Sequence, residues 1–218
     1  EQDQKQKLSL FIKKWLKNRI DTVLQSLIDL KDLKEKNSSI KALAYQLYEN
    51  NGVLKRENVS EFLKNLEQSD RKVLRDLGVK FGRYHIFLHK LIKPEPVTIR
   101  TLLWKNYHQK YFKLKPPTFG LNFIDDSDNR NKNFMLLCGF EKFDNFFVRI
   151  DILERLFMLI INSGSGENKE IKLVPEMLNL LGCSKDNFKK LIIKMNYKVT
   201  EKNDEIFFKY FPKKKFKK

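Results

Sequence analysis

Apolar residues recur at helical spacing through the first part of the chain. They lie three or four positions apart, which puts them on one face of an α-helix. The residues of this stripe are Leu8, Phe11, Ile12, Trp15, Leu16, Ile20, Val23, Leu24 and Leu27. The pattern therefore predicts a long amphipathic helix at the start of the chain.

Further helices are predicted from capping and breaking residues. Ser38 or Ser39 can accept a hydrogen bond at the start of a second helix, and Asn51-Gly52 can end it. Ser69 opens another helix, which Gly78 closes. The predicted helices of this half cover roughly 39–51, 56–66, 69–78 and 96–111.

A second pattern interrupts the helices at residues 77–88. Apolar and basic side chains alternate there with a period of two, as in a half-buried strand. Val79, Phe81, Tyr84 and Ile86 form the apolar series, and Lys80, Arg83 and His85 form the basic one. Gly78 and Gly82 mark places where the backbone turns or closely approaches a neighbour. The pattern predicts a strand with one apolar and one basic face.

The last third of the chain has a specific order of predicted elements. A helix over 151–162 precedes a short extended piece, a short helix, a tight turn, a second helix capped by Ser184, and two strands. The short elements are predicted at 171–173, 175–181, 185–195, 197–199 and 206–210. This is the order of elements in a winged helix. Upstream, residues 134–140 and 146–150 are predicted to be paired strands.

These patterns predict a mainly α fold with small β elements, in which a helical bundle precedes a winged-helix-like C-terminal domain. Lys115-Pro-Pro-Thr118 marks an internal boundary. The predicted parts are a bundle over 1–114 with a strand-like insertion near 79–87, a loop and β-hairpin connection over 115–150, a winged-helix-like domain over 151–211, and a basic disordered tail over 212–218.

The composition adds a strong positive charge to this picture. Lys and Arg total 44 against 27 Asp and Glu, which gives 44 − 27 = +17. Such an excess favours a polyanionic partner, either nucleic acid or an acidic surface. The chain also holds 35 Lys, 18 Asn and 2 Ala. A coding sequence rich in A and T would raise the Lys content without any binding role.

The nine Arg residues are more informative than the Lys residues, because Arg offers a rigid bidentate donor that Lys does not. Arg71, Arg75, Arg83 and Arg100 lie in or near the strand-like segment. Arg149 and Arg155 lie near Asp151 and Glu154, and a structural ion pair is the alternative to phosphate binding there.

Candidate nucleic-acid-binding residues come from three places: the strand-like segment, the outward face of the second paired helix, and the tail. They are Arg75, Lys80, Arg83 and His85; Lys189, Lys190 and Lys194; and Lys213, Lys214 and Lys215. Exposed Tyr84, Phe87 or Tyr107 could stack on bases. The alternative for the helix is a solvated face on a domain that braces or docks proteins.

No catalytic, metal or cofactor motif is found in the sequence. A phosphate-binding loop ending in Gly-Lys-Ser/Thr is missing, the three His residues form no ligand set, and Asp125–Asn133 fails the calcium-loop pattern. Cys138 and Cys183 lack metal-ligand spacing and are predicted to be reduced and buried. The lack of a transmembrane run or signal peptide predicts an intracellular protein, and the start at Glu-Gln-Asp-Gln suggests part of a longer polypeptide.

Three blocks of the sequence carry a resemblance to a known family. They are Leu77–Leu88 with Leu91-Ile-Lys-Pro94 and Leu102-Leu-Trp104, then Phe147–Arg155, then Met177–Cys183. Together they resemble the C-terminal accessory region of alphaproteobacterial superfamily-two, DExH-type helicases, which are similar to the mitochondrial degradosome RNA helicase of the Suv-three type. The resemblance runs from about Trp15 to Tyr197 and includes no motor motif.

The resemblance implies an accessory domain of an ATP-dependent RNA or RNA–DNA helicase in the bacterial cytoplasm. ATP and magnesium would be bound by a motor core upstream of this chain, and the chain would guide the strand that leaves the motor. An exoribonuclease is an implied partner. Two alternatives stay open: a protein-interaction platform that docks a nuclease or another partner, and a free-standing winged-helix DNA-binding protein.

Overall fold

The computed structural model describes residues 2–33, 38–126, 129–164 and 170–211. The chain divides into two compact units, Glu1–Pro116 and Pro117–Lys218, called here the first and second unit. The described residues are mainly helical and form small antiparallel sheets of three strands. The second unit includes almost all of the predicted 115–150 connection together with the 151–211 region. In the part of the chain that the structure describes, no helix has the length and apolar character needed to cross a bilayer.

The first unit combines six helices with one sheet among its described residues. The helices are α1 Gln2–Val23, α2 Gln25–Lys31, α3 Ser38–Glu49, α4 Ser60–Lys64, α5 Gln68–Asp76 and α6 Pro94–Tyr107. The strands are β1 Val53–Lys55, β2 Val79–Phe81 and β3 His85–Leu88. Short 3-10 turns cover Arg56–Val59, His89–Ile92 and Gln109–Tyr111.

The core of the first unit lies between the helices and one face of the sheet. In α3 the buried residues Ile40, Leu43, Ala44 and Leu47 follow helical spacing. They pack in one cluster with Leu74 of α5 and with the strand residues Leu54, Val79, Ile86 and Leu88. This core uses the apolar series that the sequence placed on the strand-like segment.

The strand-like segment differs from its prediction in one respect. It forms two strands, β2 and β3, and β3 lies between β1 and β2 in the sheet. All four residues of β3, from His85 to Leu88, are buried. A central strand that is covered on both faces cannot show the apolar and basic alternation expected of a half-buried strand. The predicted basic face therefore stops at β2, where Lys80 is exposed.

The second unit contains two sheets and four helices in its described residues. The first part comprises β4 Phe123–Asp125, α7 Lys132–Leu137, β5 Phe140–Phe143 and β6 Phe146–Arg149. The second part comprises α8 Ile150–Ser163, β7 Ile171–Lys172, α9 Pro175–Leu181, α10 Lys185–Lys194, β8 Tyr197–Lys202 and β9 Glu205–Tyr210. The strand orders are β4-β6-β5 and β7-β9-β8.

The prediction of strands over 134–140 was wrong for most of that range. Residues 134–137 belong to α7, and only β5 and β6 form the expected pair. Two residues explain the helix: the Asn131 side chain accepts a hydrogen bond from the Phe134 amide (2.9 Å), and Gly139 has a φ of 88° that ends it. Phe134 is buried in this helix, so its apolar side chain is compatible with either a helix or a strand.

The predicted order of elements from 151 onward is present in the structure. Ser184 caps α10 by accepting a hydrogen bond from the Asn187 amide (3.2 Å), and Gly182 ends α9 in the left-handed conformation. Asn203 and Asp204 both have positive φ, which is the backbone of a two-residue hairpin turn between β8 and β9.

The same order of elements occurs in the first unit. Helix α3 is followed by β1, α4, α5, β2 and β3, and the sheet order β1-β3-β2 matches β7-β9-β8. In both units one residue with positive φ lies between the second of the two helices and the strand that follows it. This residue is Gly78 after α5 and Asn196 after α10. This recurrence was not predicted from the sequence.

Candidate nucleic-acid interface

The positive charge is distributed unevenly along the chain. Residues 1–116 contain 25 Lys and Arg and 13 Asp and Glu, which gives 25 − 13 = +12. Residues 117–211 contain 14 of each, so their formal charge is zero. The remaining excess belongs to five Lys in 212–218, including Lys213, Lys214 and Lys215, and these three predicted contacts lie outside the described residues. An anion-binding surface among the described residues is therefore expected in the first unit.

Helix α5 and the β2–β3 hairpin carry three of the predicted contacts. Arg75 is exposed on α5, Lys80 is exposed on β2, and Arg83 is exposed in the turn between β2 and β3. Lys72, which the sequence analysis missed, is also exposed and lies three residues before Arg75, so both side chains share one side of α5. Lys72, Arg75, Lys80 and Arg83 are called the α5–β3 basic group below.

Three members of this group lack a carboxylate partner among the described residues. Lys72, Arg75 and Lys80 form no ion pair with any residue that the structure describes. Their spacing of three, five and three residues spans a helix, a turn and a hairpin, which is why no single periodic pattern reveals the whole group.

The hairpin that presents Arg83 is fixed by an arginine from another element. The Arg56 guanidinium donates to the carbonyl oxygen of Gly82 (2.8 Å), and the Arg56 amide donates to that of Tyr84 (2.8 Å). The Gly82 amide also donates to the His85 carbonyl (2.8 Å). These bonds tie both sides of the turn, so Arg83 projects from an ordered backbone.

His85 was predicted to contact nucleic acid, and the structure contradicts that prediction. His85 is 2% exposed, and all four residues of β3 are buried. Phe87, a predicted stacking residue, is buried on the same strand, and Tyr84 is half-buried. The hairpin therefore offers cations to a ligand and few aromatic surfaces.

Two arginines near this segment have structural roles. Arg71 donates to the Leu63 carbonyl (2.7 Å) at the end of α4, and its guanidinium lies over the Phe81 ring at 5.9 Å. Arg100 is buried and donates to the carbonyl oxygens of Asn51 (2.6 Å) and Leu91. Their forked donors serve backbone carbonyls that would otherwise lack partners.

On α10, Lys189 is held by two carboxylates. Its ammonium lies 2.9 Å from Asp186 on the preceding turn and 2.9 Å from Glu201 on β8. Hydrogen bonds to Glu201 and Asp186 raise the pKa of Lys189, and the hydrogen bond from Lys189 lowers the pKa of Asp186. The charge predicted to face a phosphate is compensated inside the second unit.

The other two predicted lysines of α10 differ from each other. Lys194 forms an ion pair with Asp144 in the β5–β6 turn (2.8 Å). Lys190 is exposed and forms no ion pair with a described residue. One of the three lysines of the predicted recognition helix thus remains uncompensated.

The outer face of the β7-β9-β8 sheet carries basic residues that the sequence analysis did not identify. Lys198 on β8 lies directly opposite Lys209 on β9, and both are exposed. Like charges in this position repel each other. The neighbouring Lys202 pairs with Glu170 (2.8 Å), and Lys172 pairs with Glu205. Strand alternation, read together with the hairpin register, would have located this pair.

Further ion pairs hold the second unit together. Arg149 forms a bidentate pair with Asp151 (2.8 and 2.6 Å), which raises the pKa of Arg149 and confirms the structural alternative for this residue. The side chain of Asp126 is 3% exposed and accepts hydrogen bonds from Lys142 (2.8 Å) and the Arg130 amide (2.7 Å). Burial raises the pKa of Asp126, but these two bonds outweigh it and the pKa is lowered.

Aromatic rings cluster at the C-terminal end of α6. The Trp104 ring lies 4.5 Å from His108 and 5.2 Å from Tyr111, and His108 lies 4.9 Å from Tyr107. Tyr107 is 84% exposed. Tyr107 was predicted from the sequence and its three neighbours were missed, although Tyr107, His108 and Tyr111 lie three, four and seven positions after Trp104, which is the spacing of one helix face.

An open apolar cleft of about 840 Å³ lies between α1 and α6. Its walls include Trp15, Leu16, Ile20, Ile99, Leu102 and Leu103. The predicted amphipathic helix is therefore present, but none of the described residues of α1 is buried, and Leu8, Phe11 and Ile12 continue its apolar stripe in solvent. An exposed apolar stripe of this kind is a candidate interaction surface.

The cysteines and carboxylates offer no metal chemistry within the described residues. No group of three or more His, Cys, Asp or Glu there could hold a metal ion. Cys138 is buried, as predicted, and Cys183 is half-buried; neither forms a disulfide. Burial and the charge of Asp125 raise the pKa of Cys183 to about 11, so its thiol stays protonated at neutral pH.

A comparison with known proteins gives no relative on which a function could be based: no family model, no curated protein and no solved structure matches the chain.

Proposed function

We propose that this chain binds nucleic acid through its first unit, with the α5–β3 basic group as the main phosphate-contacting surface. The observation that carries this proposal is the separation of charge. Residues 1–116 have a net charge of +12, whereas 117–211 are neutral and compensate Lys189 and Lys194 internally. Uncompensated cations release counterions when they meet phosphates, and this release drives binding.

We further propose that the segments α3–β3 and α8–β9 are both winged helices. The support is the shared order of elements and the shared strand order, with the last strand in the middle of each sheet. In this arrangement α5 and α10 take the position of the recognition helix, and β2–β3 and β8–β9 take that of the wing. Both helix and wing pairs have the same formal charge, 5 − 2 = +3 for residues 68–88 and 7 − 4 = +3 for residues 185–210. They differ in ion pairing, because Lys189, Lys194 and Lys202 of the second pair are bound by carboxylates.

The chemistry of the basic group favours contacts to the backbone of the nucleic acid. Lys72 and Lys80 supply point charges, and Arg75 and Arg83 supply planar donors that match phosphate oxygens. Contacts of this kind position a strand without reading its sequence. This suits a module that guides a strand for a helicase motor outside this chain. The helicase role itself rests on the resemblance of the three sequence blocks.

The test is a comparison of two charge-matched triple variants across a salt titration. The first is Lys72→Glu, Arg75→Glu and Lys80→Glu; the control, from the second unit, is Lys190→Glu, Lys198→Glu and Lys209→Glu. Binding to single-stranded RNA, single-stranded DNA and duplex is measured by fluorescence anisotropy. The first variant is expected to lower the slope of log affinity against log salt by roughly 2 to 3, at 0.7–0.9 per phosphate contact.

The control triple is expected to leave that slope unchanged. Loss of binding in the control alone would move the interface to the second unit and contradict the proposal. Deletion of 212–218 measures the contribution of the tail. If the deletion abolishes binding and the first triple variant does not change it, the tail is the nucleic-acid-binding segment. A strong preference for duplex DNA would favour the alternative of a DNA-binding regulator.

The apolar cleft favours protein docking as a second function. Its α1 wall is flanked by the exposed residues Lys13, Lys14 and Lys17, so the complementary partner is an acidic amphipathic helix. A second copy of the chain would bring another first unit of charge +12 against these lysines, which disfavours self-association. A concave cleft also accepts helix side chains better than a flat lipid surface does.

Docking is tested with a synthetic acidic amphipathic peptide and its Lys-for-Glu counterpart, followed by the fluorescence of Trp15. Saturable binding of the acidic peptide that is abolished by Leu102→Asp supports the cleft. Three results would each contradict an acidic helix as the occupant of the cleft. They are equal binding of both peptides, binding of the chain to anionic vesicles instead, and a stable homodimer in light scattering.

A further inference from the structure

We propose that the aromatic cluster at the end of α6 stacks on unpaired bases, so that the ligand of the first unit is single-stranded nucleic acid. This inference rests on the proposed function and adds the ligand class to it. The cluster comprises Trp104, Tyr107, His108 and Tyr111. It lies in the same unit as the α5–β3 basic group and on a different element.

The cluster is a continuous series of rings with one open end. Tyr111 stacks on Trp104 with an interplanar angle of 17°, Trp104 contacts His108, and Tyr107 meets the edge of His108 at 87°. Trp104, His108 and Tyr111 are half-buried, whereas Tyr107 is 84% exposed. An exposed ring backed by other rings offers a π-face to a base at little cost in side-chain ordering.

The backbone around the cluster is ordered by consecutive hydrogen bonds. The His108 amide donates to the Trp104 carbonyl (2.8 Å), and the Tyr111 amide donates to the His108 carbonyl (2.9 Å). The Lys105 ammonium donates to the Leu114 carbonyl (3.2 Å), which ties the segment after the 3-10 turn back to α6. The ring positions are therefore set before any ligand binds.

Cations surround the rings, as phosphates next to stacked bases require. Lys110 lies over the Tyr111 ring at 4.7 Å. Lys113, two residues after Tyr111, is exposed. No Asp or Glu occurs between Glu95 and Asp125. The segment thus combines stacking rings with positive charge and has no carboxylate in its own sequence to repel a strand.

These features favour a single strand over a duplex. In a duplex the faces of the bases are already stacked, so a protein ring reaches them only where the bases are unpaired. Stacking tolerates any base, which agrees with backbone contacts from the basic group that carry no sequence information. A surface built for duplex binding would gain little from an exposed Tyr107.

The test uses the full chain in a Trp15→Phe background, which leaves Trp104 as the sole tryptophan. The ligands are a poly(U) RNA of about 12 nucleotides and an RNA duplex of the same length, a size within the usual range for single-strand sites. Tyr107→Ala is expected to lower affinity for the single strand by roughly 5- to 100-fold and to leave affinity for the duplex unchanged. Poly(U) is also expected to quench Trp104 fluorescence.

Two controls separate stacking from other effects. Tyr107→Phe keeps the ring and is expected to restore single-strand affinity, and Tyr45→Ala removes an exposed tyrosine from α3 and is expected to change nothing. Binding that depends on the α5–β3 basic group but not on Tyr107, without quenching of Trp104, would overturn this inference and leave the proposed function intact. Lack of binding to any nucleic acid would overturn both.

Discussion

The two units share an order of elements and use their charged residues in opposite ways. In each, a helix, a strand, two helices and two strands follow one another, and the last strand lies in the centre of the sheet. In the first unit the helix before the hairpin exposes Lys72 and Arg75 without ion pairs. In the second unit Lys189 and Lys194 of the equivalent helix are bound by carboxylates. An order of elements therefore does not assign a function; the surface it carries does.

The hairpin tips show the same difference. The β2–β3 turn presents Arg83, whereas the β8–β9 turn presents Asp204 next to Glu205. Glu205 is paired with Lys172, which leaves the exposed Asp204 carboxylate at the tip to repel an approaching phosphate. The carboxylates of the second unit instead hold its own elements together, as the pair of Lys189 with Glu201 joins α10 to β8.

The largest expected effect concerns the cores under the two hairpins. Phe208 of β9 is fully buried and packs edge-on against Phe188 at 5.7 Å, whereas Phe81 of β2 is half-buried. Phe208→Ala is expected to cost about 3–5 kcal/mol in the free energy of unfolding, and Phe81→Ala about half as much. Urea unfolding measures both. Equal losses would mean that the two hairpins are packed alike, and Phe208→Leu serves as a control that keeps most of the apolar volume.

A pH titration tests whether the second unit depends on its internal ion pairs. The pKa of Asp126 is lowered in the folded protein, so its contribution to stability is present above its unfolded pKa of about 3.9 and is lost as pH falls through the folded value. Asp126→Asn is expected to cost about 1–3 kcal/mol at neutral pH. The variant should also lose less stability than the wild type as the pH falls from about one unit above the unfolded pKa through the lowered folded pKa. An unchanged acid dependence would show that Asp126 is not the titrating group.

A smaller effect is expected at the start of α10. Ser184→Ala removes the hydroxyl that accepts a hydrogen bond from the Asn187 amide, at a cost of about 1 kcal/mol in stability. Ser184→Asp keeps an acceptor and is expected to stay near the wild type. At the start of α5 the Glu67 amide donates to Asp70 (3.1 Å), so Asp70→Ala makes the matching test in the first unit. If neither alanine variant shifts the melting temperature, helix capping contributes nothing measurable to either unit.

The smallest effect is a single neutralisation in each unit. Arg75→Gln is expected to lower the salt slope of nucleic-acid binding by about 0.7–0.9, and Lys190→Gln by nothing. Both residues are exposed, and α5 and α10, on which they lie, have the same place in the order of elements of their units. Neither residue forms an ion pair with a described residue. Equal changes in slope would mean that both units contact the ligand and that the separation of charge does not decide binding.

Much of the secondary structure follows from local patterns. The bounds of α3, the Ser184 cap and the order of elements from α8 to β9 were all predicted from neighbouring residues. Residues 134–137 were predicted to be a strand because Phe134 and its neighbours are apolar in both conformations. Their helix depends on the Asn131 cap and on Gly139, two signals that the apolar run obscured.

The candidate site was predicted less completely than the fold. Arg75, Lys80 and Arg83 are exposed as expected, and Lys72 was missed although it shares a helix face with Arg75. The prediction that His85 is exposed was wrong, because burial of a strand residue depends on the elements that cover the two faces of its sheet, and these are not set by the spacing of neighbouring residues. The partners of Lys189 and Lys194 are likewise set by tertiary packing and not by spacing alone.

The sequence by itself determined most of the helices, the order of elements from α8 to β9 and the total charge, because these depend on residue type and on contacts within a few positions. Only the tertiary structure decided which cations meet carboxylates and which meet solvent. It also decided that every residue of β3 is buried. The pairs of Lys189 with Glu201 and of Lys194 with Asp144, like the burial of a strand, require residues that are distant in sequence to approach within a few ångströms, and the fold brings them together.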